Sequence, residues 1–520
     1  MKNDAQIKIV MSGAALLTIS SLIAKVLSAI YRIPLQNLVG NIGFYIYQQV
    51  YPIYGIGMTF ALSGLPVLIS KMVAEQPNVK ARIGLFKRLT LILSAMAFII
   101  FIGLQLGAPF LAQQMGDINL TMVIRAVSWM FLLMPFLSTT RGFFQGTLNM
   151  LPTAVSQVVE QVVRVLIIIL VAVLAHRHHW NLYLMGRDAM LSSPISALFS
   201  SAVLLMFIWP LLSQRGAKPT IDKWALTRKI ITEGGTICLL SALMIMMQLV
   251  DSFTVRNGLL ASGLDQIASQ SIKGTYDRAQ PLVQLGLVIG TSFASAAMPS
   301  LSKSVHDHER LAFQKTAQLM MKTTLAVTLL VTVGLVILMP AINRVLFGNA
   351  DGSLTIAVYC LSIIIVTLIT IYNGILQSLG HFKIGFYAVL ISIVIKALIT
   401  EPLVARIGIL GGSISTVLAV LCGLLLNWVG IKKQLPIQIY SMRFLVKLSI
   451  VTIGMVIVVL GLQTGLMKLA LPFHSRVFTF IAVMGYGFVG ASVAIIGILY
   501  LRLFDHDELA SLPIINHWIK

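Results

Sequence analysis

From Leu89 to Gln113 the chain reads LTLILSAMAFIIFIGLQLGAPFLAQ, a run without a single charged side chain. Wound as a helix at 1.5 Å per residue, such a run is longer than the ~30 Å hydrocarbon layer of a bilayer. A strand of a membrane barrel would show ~10-residue segments of alternating polarity, and no such alternation is present. The same kind of run recurs on both sides. Working outward, the predicted spans are 9–32 and 43–70 before it, then 121–148, 154–176, 189–213, 230–255, 274–302, 316–342, 353–380, 384–402, 407–431, 443–465 and 477–502 after it. The fold class is therefore an all-α polytopic membrane protein with about 14 transmembrane helices. Composition agrees: 58% of the chain is hydrophobic and 11% charged, against roughly 25% charged residues in an ordinary soluble domain.

The first span follows a short basic start, Lys2 and Lys8, but it runs on past Lys25 to Arg32 without a small-x-small cleavage site and reads as a retained helix. Cys238, Cys360 and Cys422 sit in apolar runs with no CxxC pair, as buried thiols do, so neither a metal nor a disulfide is expected. Basic residues cluster in alternate loops: Lys71, Lys80, Arg82, Lys87 and Arg88, then Arg215, Lys218, Lys223, Arg228 and Lys229, then Lys303, Arg310, Lys315 and Lys322, then Lys432, Lys433, Arg443 and Lys447. By the positive-inside rule these loops and both termini are predicted to be cytoplasmic, in a multi-pass protein of the cytoplasmic (inner) cell membrane. The net charge of +21 reflects this asymmetry and an attraction to membrane lipids rather than nucleic acid.

An internal repeat is visible at an offset of 232 residues. Gly142-Phe-Phe-Gln145 matches Gly374-Ile-Leu-Gln377, Ser70-Lys71 matches Ser302-Lys303, and Arg164 falls on Lys396. The offset pairs helices 2, 4 and 5 with helices 8, 10 and 11. It predicts two pseudo-symmetric six-helix lobes, 1–215 and 216–435, with two further helices and a cytoplasmic tail in 436–520. Transporters commonly carry such symmetry and bind substrate between the repeats.

A charged side chain at mid-bilayer costs ~2.5–3.5 kcal/mol or more on insertion scales, so each one needs a partner or a wet cavity. Candidates within spans are Lys25, Arg125, Glu160, Arg164, Asp251, Asp277, Arg278 and Lys396, with Arg32 at the end of the first span. Glu160 and Arg164 are four apart on one helix face, the spacing of an ion pair. Asp277 neighbours Arg278, and Arg125 and Asp251 are placed near a membrane boundary. Basic groups outnumber nearby carboxylates. A cavity lined by Lys25, Arg32, Arg164, Arg278 and Lys396 would hold an anion, with phosphate or pyrophosphate the best match, and would repel organic cations. Glu160, Asp251 and Asp277 are the residues available for ion coupling or pairing. No Walker A sequence, clustered acidic motif or metal-ligand motif is present, which argues against an ATPase and against a membrane enzyme of phosphate chemistry.

Ala24-Lys25 through Arg32 to Gly40, and Tyr276-Asp277-Arg278 with Pro299-Ser300-Leu301-Ser302-Lys303, resemble helices 1 and 8 of the MurJ-type lipid II flippases. Tyr51-Pro52-Ile53-Tyr54-Gly55, Gly64-Leu65-Pro66-Val67-Leu68-Ile69-Ser70-Lys71 and Arg141-Gly142-Phe143-Phe144-Gln145-Gly146 are similar to the YtgP/SpoVB branch of polysaccharide transporters. Both groups belong to the multidrug/oligosaccharidyl-lipid/polysaccharide (MOP) exporter superfamily. The resemblance, which extends over essentially the whole chain, implies two lobes around a cationic cavity that opens alternately to either membrane face. Its cargo would be an undecaprenyl-pyrophosphate-linked peptidoglycan precursor (lipid II) or another lipid-linked polysaccharide unit, the further alternative being a cation-coupled multidrug antiporter with Glu160 and Asp251 as its ion-binding carboxylates. No cofactor is implied; the drive would be membrane potential or a Na⁺ or H⁺ gradient, and cell-wall synthesis proteins would be partners. By position, Lys25 stands for the first arginine of helix 1 in MurJ-type proteins and Arg278 for the helix 8 arginine. The second helix 1 arginine aligns with Tyr31, one residue before Arg32. The helix 2 arginine has no counterpart, since that region reads Pro52-Ile53-Tyr54-Gly55-Ile56.

Overall fold

A backbone in hydrocarbon has no water to bond, so each segment that crosses must satisfy its own N–H and C=O groups, which a helix does within one span. The computed structural model describes residues 2–214, 216–217, 222–306, 309–435, 439–468 and 475–505, excepting the side chains of 2–12, 14, 212, 293–300, 302–306 and 466–468. Arg215, Lys218, the side chains of Pro299-Ser300 and Ser302-Lys303, and the predicted tail from 506 lie outside the described residues. Among the described residues there is no strand, at least eleven helical segments are long and apolar enough to cross a membrane, and the helices number fourteen. They are α1 (2–39), α2 (41–74), α3 (Val79–Gln114), α4 (118–146), α5 (Leu151–Arg177), α6 (Leu182–Leu212), α7 (223–261), α8 (266–306), α9 (Arg310–Phe347), α10 (353–378), α11 (Phe382–Ile407), α12 (Ile409–Gln434), α13 (Met442–Lys468) and α14 (Arg476–Tyr500). Each predicted span finds its helix.

The boundary between α1 and α2 differs from the sequence reading, and proline and glycine explain why. Pro34 has no N–H to offer the carbonyl of Ile30, so α1 is broken at Tyr31. The helix nevertheless continues, because Tyr31 N–H reaches Leu27 O at 3.2 Å and Leu35 N–H reaches Tyr31 O at 3.1 Å. The chain turns instead at Gly40, where φ is +69° and ψ is −174°, a conformation open to glycine and costly for other residues. Other helices are broken too. A π turn at Phe60–Gly64 precedes Pro66 in α2, and a 3-10 turn at Trp129–Leu132 precedes Pro135 in α4. A 76° bend divides α7 between Ser241 and Leu243, and α8 is interrupted at Arg278.

The repeat shows in the helix bounds. Shifted by 232, residues 79–114 become 311–346, against the observed Arg310–Phe347 of α9, and 151–177 become 383–409, against Phe382–Ile407 of α11. By packing, the chain divides into two compact units. One comprises residues 1–277 with 397–408, the other 278–396 with 409–520. In the first unit α7 and the first half of α8 pack along α1 and α2 through glycines. A Cβ on Gly55 would lie 2.9 Å from Ile245, and one on Gly274 only 2.1 Å from the main-chain oxygen of Asn41. In the second unit α13 and α14 pack on α9. Val451, Met455, Val459, Tyr486 and Ala494 bury themselves against Leu338 of α9.

Candidate functional site

On α2, Tyr47, Tyr51 and Tyr54 recur at i, i+4 and i+7, so they fall on one helix face. Their rings follow one another at 6.3 and 5.5 Å between centroids. Tyr31, at the break in α1, meets Tyr47 edge-on at 6.1 Å, and the two hydroxyls are 2.8 Å apart. The four tyrosines form one wall of a buried cage in the first unit, and α5 supplies the cation. Arg164, fully buried, donates from Nη1 to the Tyr54 hydroxyl at 2.7 Å and to Gln161 Oε1 at 3.3 Å. From Nη2 it donates to Tyr31 at 2.8 Å and Tyr47 at 3.0 Å.

Arg32 completes the cage and is the anomaly in it. The side chain is 1% exposed, its guanidinium lies 4.2 Å from the Tyr51 ring centre, and none of its three nitrogens has a hydrogen-bond partner among the described residues. Arg164 lies against the same ring at 5.7 Å. The ring face offers cation–π attraction of ~2 kcal/mol when desolvated, less than the several kcal/mol that burying an ion costs. Asp277 feels the Arg32 charge, but its own Oδ1 is taken by Lys273 Nζ at 2.5 Å. Two guanidiniums thus share an aromatic cage, and around Arg32 the nearby groups are the tyrosines Tyr31 and Tyr51.

The carboxylates that sequence spacing offered to these cations go elsewhere. Glu160 does not pair with Arg164: its Oε2 accepts from Arg141 Nη2 at 2.6 Å, with both residues buried. Arg141, from α4, is held further by Ser156 at 3.0 Å and Ser200 at 2.8 Å. The pair is favoured because α4, α5 and α6 enclose it completely, while Arg164, one turn on from Glu160, is drawn to the tyrosine hydroxyls. Asp277 binds Lys273, one turn before it on the same face, and not the adjacent Arg278, which lies at the break in α8. Asp251 accepts from the Tyr276 hydroxyl at 3.0 Å.

The remaining candidates are placed separately. Lys25 is exposed on α1. Arg278 and Lys396 belong to the second unit, where both are buried. Arg278 donates to Asn349 at 2.6 Å and Asn343 at 3.4 Å, and Lys396 donates to Thr416 of α12. Sequence reasoning missed Arg141 and Lys273 as intramembrane charges, and the tyrosine wall altogether. The i, i+4, i+7 spacing of Tyr47, Tyr51 and Tyr54 was the available signal.

Residues 10–305 match the family described as polysaccharide biosynthesis protein. The chain belongs to that family. It is a member of the MOP superfamily with a MurJ-like fold. Among its relatives, an uncharacterized membrane protein, YabM, of Bacillus subtilis (strain 168) is 32% identical over 519 residues, covering 96% of this chain and 94% of that one. Lipid II flippase MurJ of the same organism is 24% identical over 487 residues, 89% of each chain. A solved structure of lipid II flippase MurJ in an inward closed conformation superposes with a TM-score of 0.67 at 14% identity, covering 94% of this chain and 99% of that one. The family and its structural neighbours are membrane flippases and exporters, and this member is a multi-pass membrane protein of that kind. The cage lies on the stretches of α1 and α2 whose motifs are quoted above, and Tyr54 belongs to Pro52-Ile53-Tyr54-Gly55-Ile56.

Proposed function

We propose that the protein is a flippase for a pyrophosphate-linked lipid glycan, and specifically for the peptidoglycan precursor lipid II, working by alternating access in the cytoplasmic membrane with both termini inside. One observation carries the reading: Arg32 is buried among tyrosines with no hydrogen-bond partner for its guanidinium nitrogens among the described residues, beside a second buried arginine. A phosphate or pyrophosphate supplies a planar fork with the acceptors and the charge it lacks. An organic cation would add to the repulsion. Arg164 and the tyrosine hydroxyls supply donors for the same head. Lys25, Arg278 and Lys396 serve other stages of the passage, and the energy comes from the membrane potential or a Na⁺ or H⁺ gradient. The named lipid II flippase among the relatives and the matching fold support the cargo.

A second reading has its own support. Tyr54 occupies the region of the helix 2 arginine, so the headgroup contacts differ from those of MurJ-type proteins and suit a related glycan carried on the same lipid pyrophosphate. Rescue of a strain depleted of its lipid II flippases separates the two. The wild-type chain restores growth and surface-accessible lipid II, while Arg32→Gln at equal membrane abundance does not. If the wild-type chain, present and folded in that membrane, fails to rescue, the lipid II assignment falls and the related glycan stands. Rescue by Arg32→Gln as complete as wild type would remove the role given to the cage.

A further inference from the structure

We infer that the protein carries a dedicated site for an anionic phospholipid in the groove between α4 and α6, away from the tyrosine cage. The groove has a volume of about 490 Å³ and is lined by Thr121, Met122, Arg125, Trp129, Arg187 and Leu191 among others. Ile118, Met122, Arg125 and Trp129 stand at i, i+4, i+7 and i+11 and make one outward stripe, with Ile118 56% and Trp129 51% exposed. In a membrane such a stripe faces acyl chains, and an arginine in its middle requires an anion.

Both arginines are held so that their forks stay free. Arg125 uses only Nε, donating to Gln105 O at 3.2 Å. Arg187 likewise uses only Nε, donating to Asp188 Oδ1 at 2.7 Å. The four Nη groups of the two residues have no partner among the described residues. Set against Asp188, the groove keeps a surplus of one positive charge, complementary to a lipid phosphate. Depth agrees as well. α3 to α6 alternate in direction, so α4 and α6 start at the same membrane boundary. Arg125 and Arg187 lie in the second turn from those starts, shallow enough for their heads to reach the phosphate layer. Trp129 sits one turn deeper, beside the glycerol and upper acyl region where interfacial indoles settle. Apolar Met122, Trp129 and Leu191 give the acyl chain a wall, which a free anion would not need. The occupant is therefore a phospholipid whose headgroup is anionic, of the phosphatidylglycerol type.

Native mass spectrometry of the full-length protein, titrated with phosphatidylglycerol or phosphatidylcholine, tests this. Wild type is expected to retain one phosphatidylglycerol in preference to phosphatidylcholine. Each arginine near the surface contributes about fivefold, so Arg125→Gln with Arg187→Gln weakens phosphatidylglycerol about 25-fold and leaves phosphatidylcholine unchanged. Arg125→Lys with Arg187→Lys keeps the charge and most of the binding, which separates loss of the site from loss of fold, as does an unchanged unfolding midpoint. Equal retention of the two lipids by wild type, or undiminished phosphatidylglycerol on the folded glutamine variant, overturns the site. Displacement of the lipid by millimolar inorganic phosphate would assign the groove to a soluble anion and overturn it too.

Discussion

Removing the charge of Glu160 is the most revealing single change to the bundle. Arg141 and Glu160 meet at 2.6 Å with 0% and 2% exposure, and Ser156, Ser200 and the Ala61 carbonyl accept the guanidinium's other bonds. With charge centres ~4 Å apart and an effective dielectric near 20, their attraction is about 4 kcal/mol. Glu160→Gln keeps the shape and a hydrogen-bond acceptor but leaves Arg141 a buried, uncompensated ion, so the variant is expected to lose about 3–5 kcal/mol. Arg141→Met alone strands the carboxylate and loses a similar amount. The double variant, Arg141→Met with Glu160→Leu, strands neither, and is expected within ~2 kcal/mol of wild type. The cysteines supply the assay. Cys238 and Cys360 are buried free thiols, so labelling by a thiol-reactive dye during denaturant titration follows unfolding. If Glu160→Gln left the midpoint where it was, or if the double variant lost the sum of the two single losses, the pairing would be refuted.

Arg32→Leu should separate stability from transport: removal of a buried cation without hydrogen bonds raises the unfolding free energy by about 1–3 kcal/mol while transport falls at least tenfold. A dye-labelling midpoint and a flipping assay on the same preparation check both halves. Gly274→Val would press a side chain into the main chain of Asn41, since even a Cβ would stand 2.1 Å away, and is expected to destabilise by about 1–3 kcal/mol in the same unfolding assay. At Gly40 there is open space around a Cβ, but φ +69° with ψ −174° is a region essentially confined to glycine, so Gly40→Ala should lose about 1–3 kcal/mol through backbone strain alone, read as the shift of its unfolding midpoint.

The spans were legible because hydropathy is a local property. LTLILSAMAFIIFIGLQLGAPFLAQ predicts a helix from its own residues, and the helix from Val79 to Gln114 contains it. The repeat was legible for a similar reason, since Gly142-Phe-Phe-Gln145 and Gly374-Ile-Leu-Gln377 occupy corresponding helices α4 and α10. The α1–α2 boundary slipped because the first span was read as ending at Arg32, yet the backbone bonds of Tyr31 to Leu27 and Leu35 carry the helix on.

The sequence by itself determined the membrane class, the number of crossings, the duplication and the presence of more cations than nearby carboxylates. All of these are sums over neighbouring residues. Which cation keeps a partner was decided only by tertiary structure. Glu160 had Arg164 one turn away and found Arg141 on another helix, while Arg164 bonded Tyr31, 133 positions distant. In a low-dielectric interior a charge takes whichever partner leaves the fewest groups unsatisfied, and that choice depends on which helix faces meet. That Arg32 lies enclosed among tyrosines, with no hydrogen-bond partner for its guanidinium among the described residues, is likewise a result of packing alone.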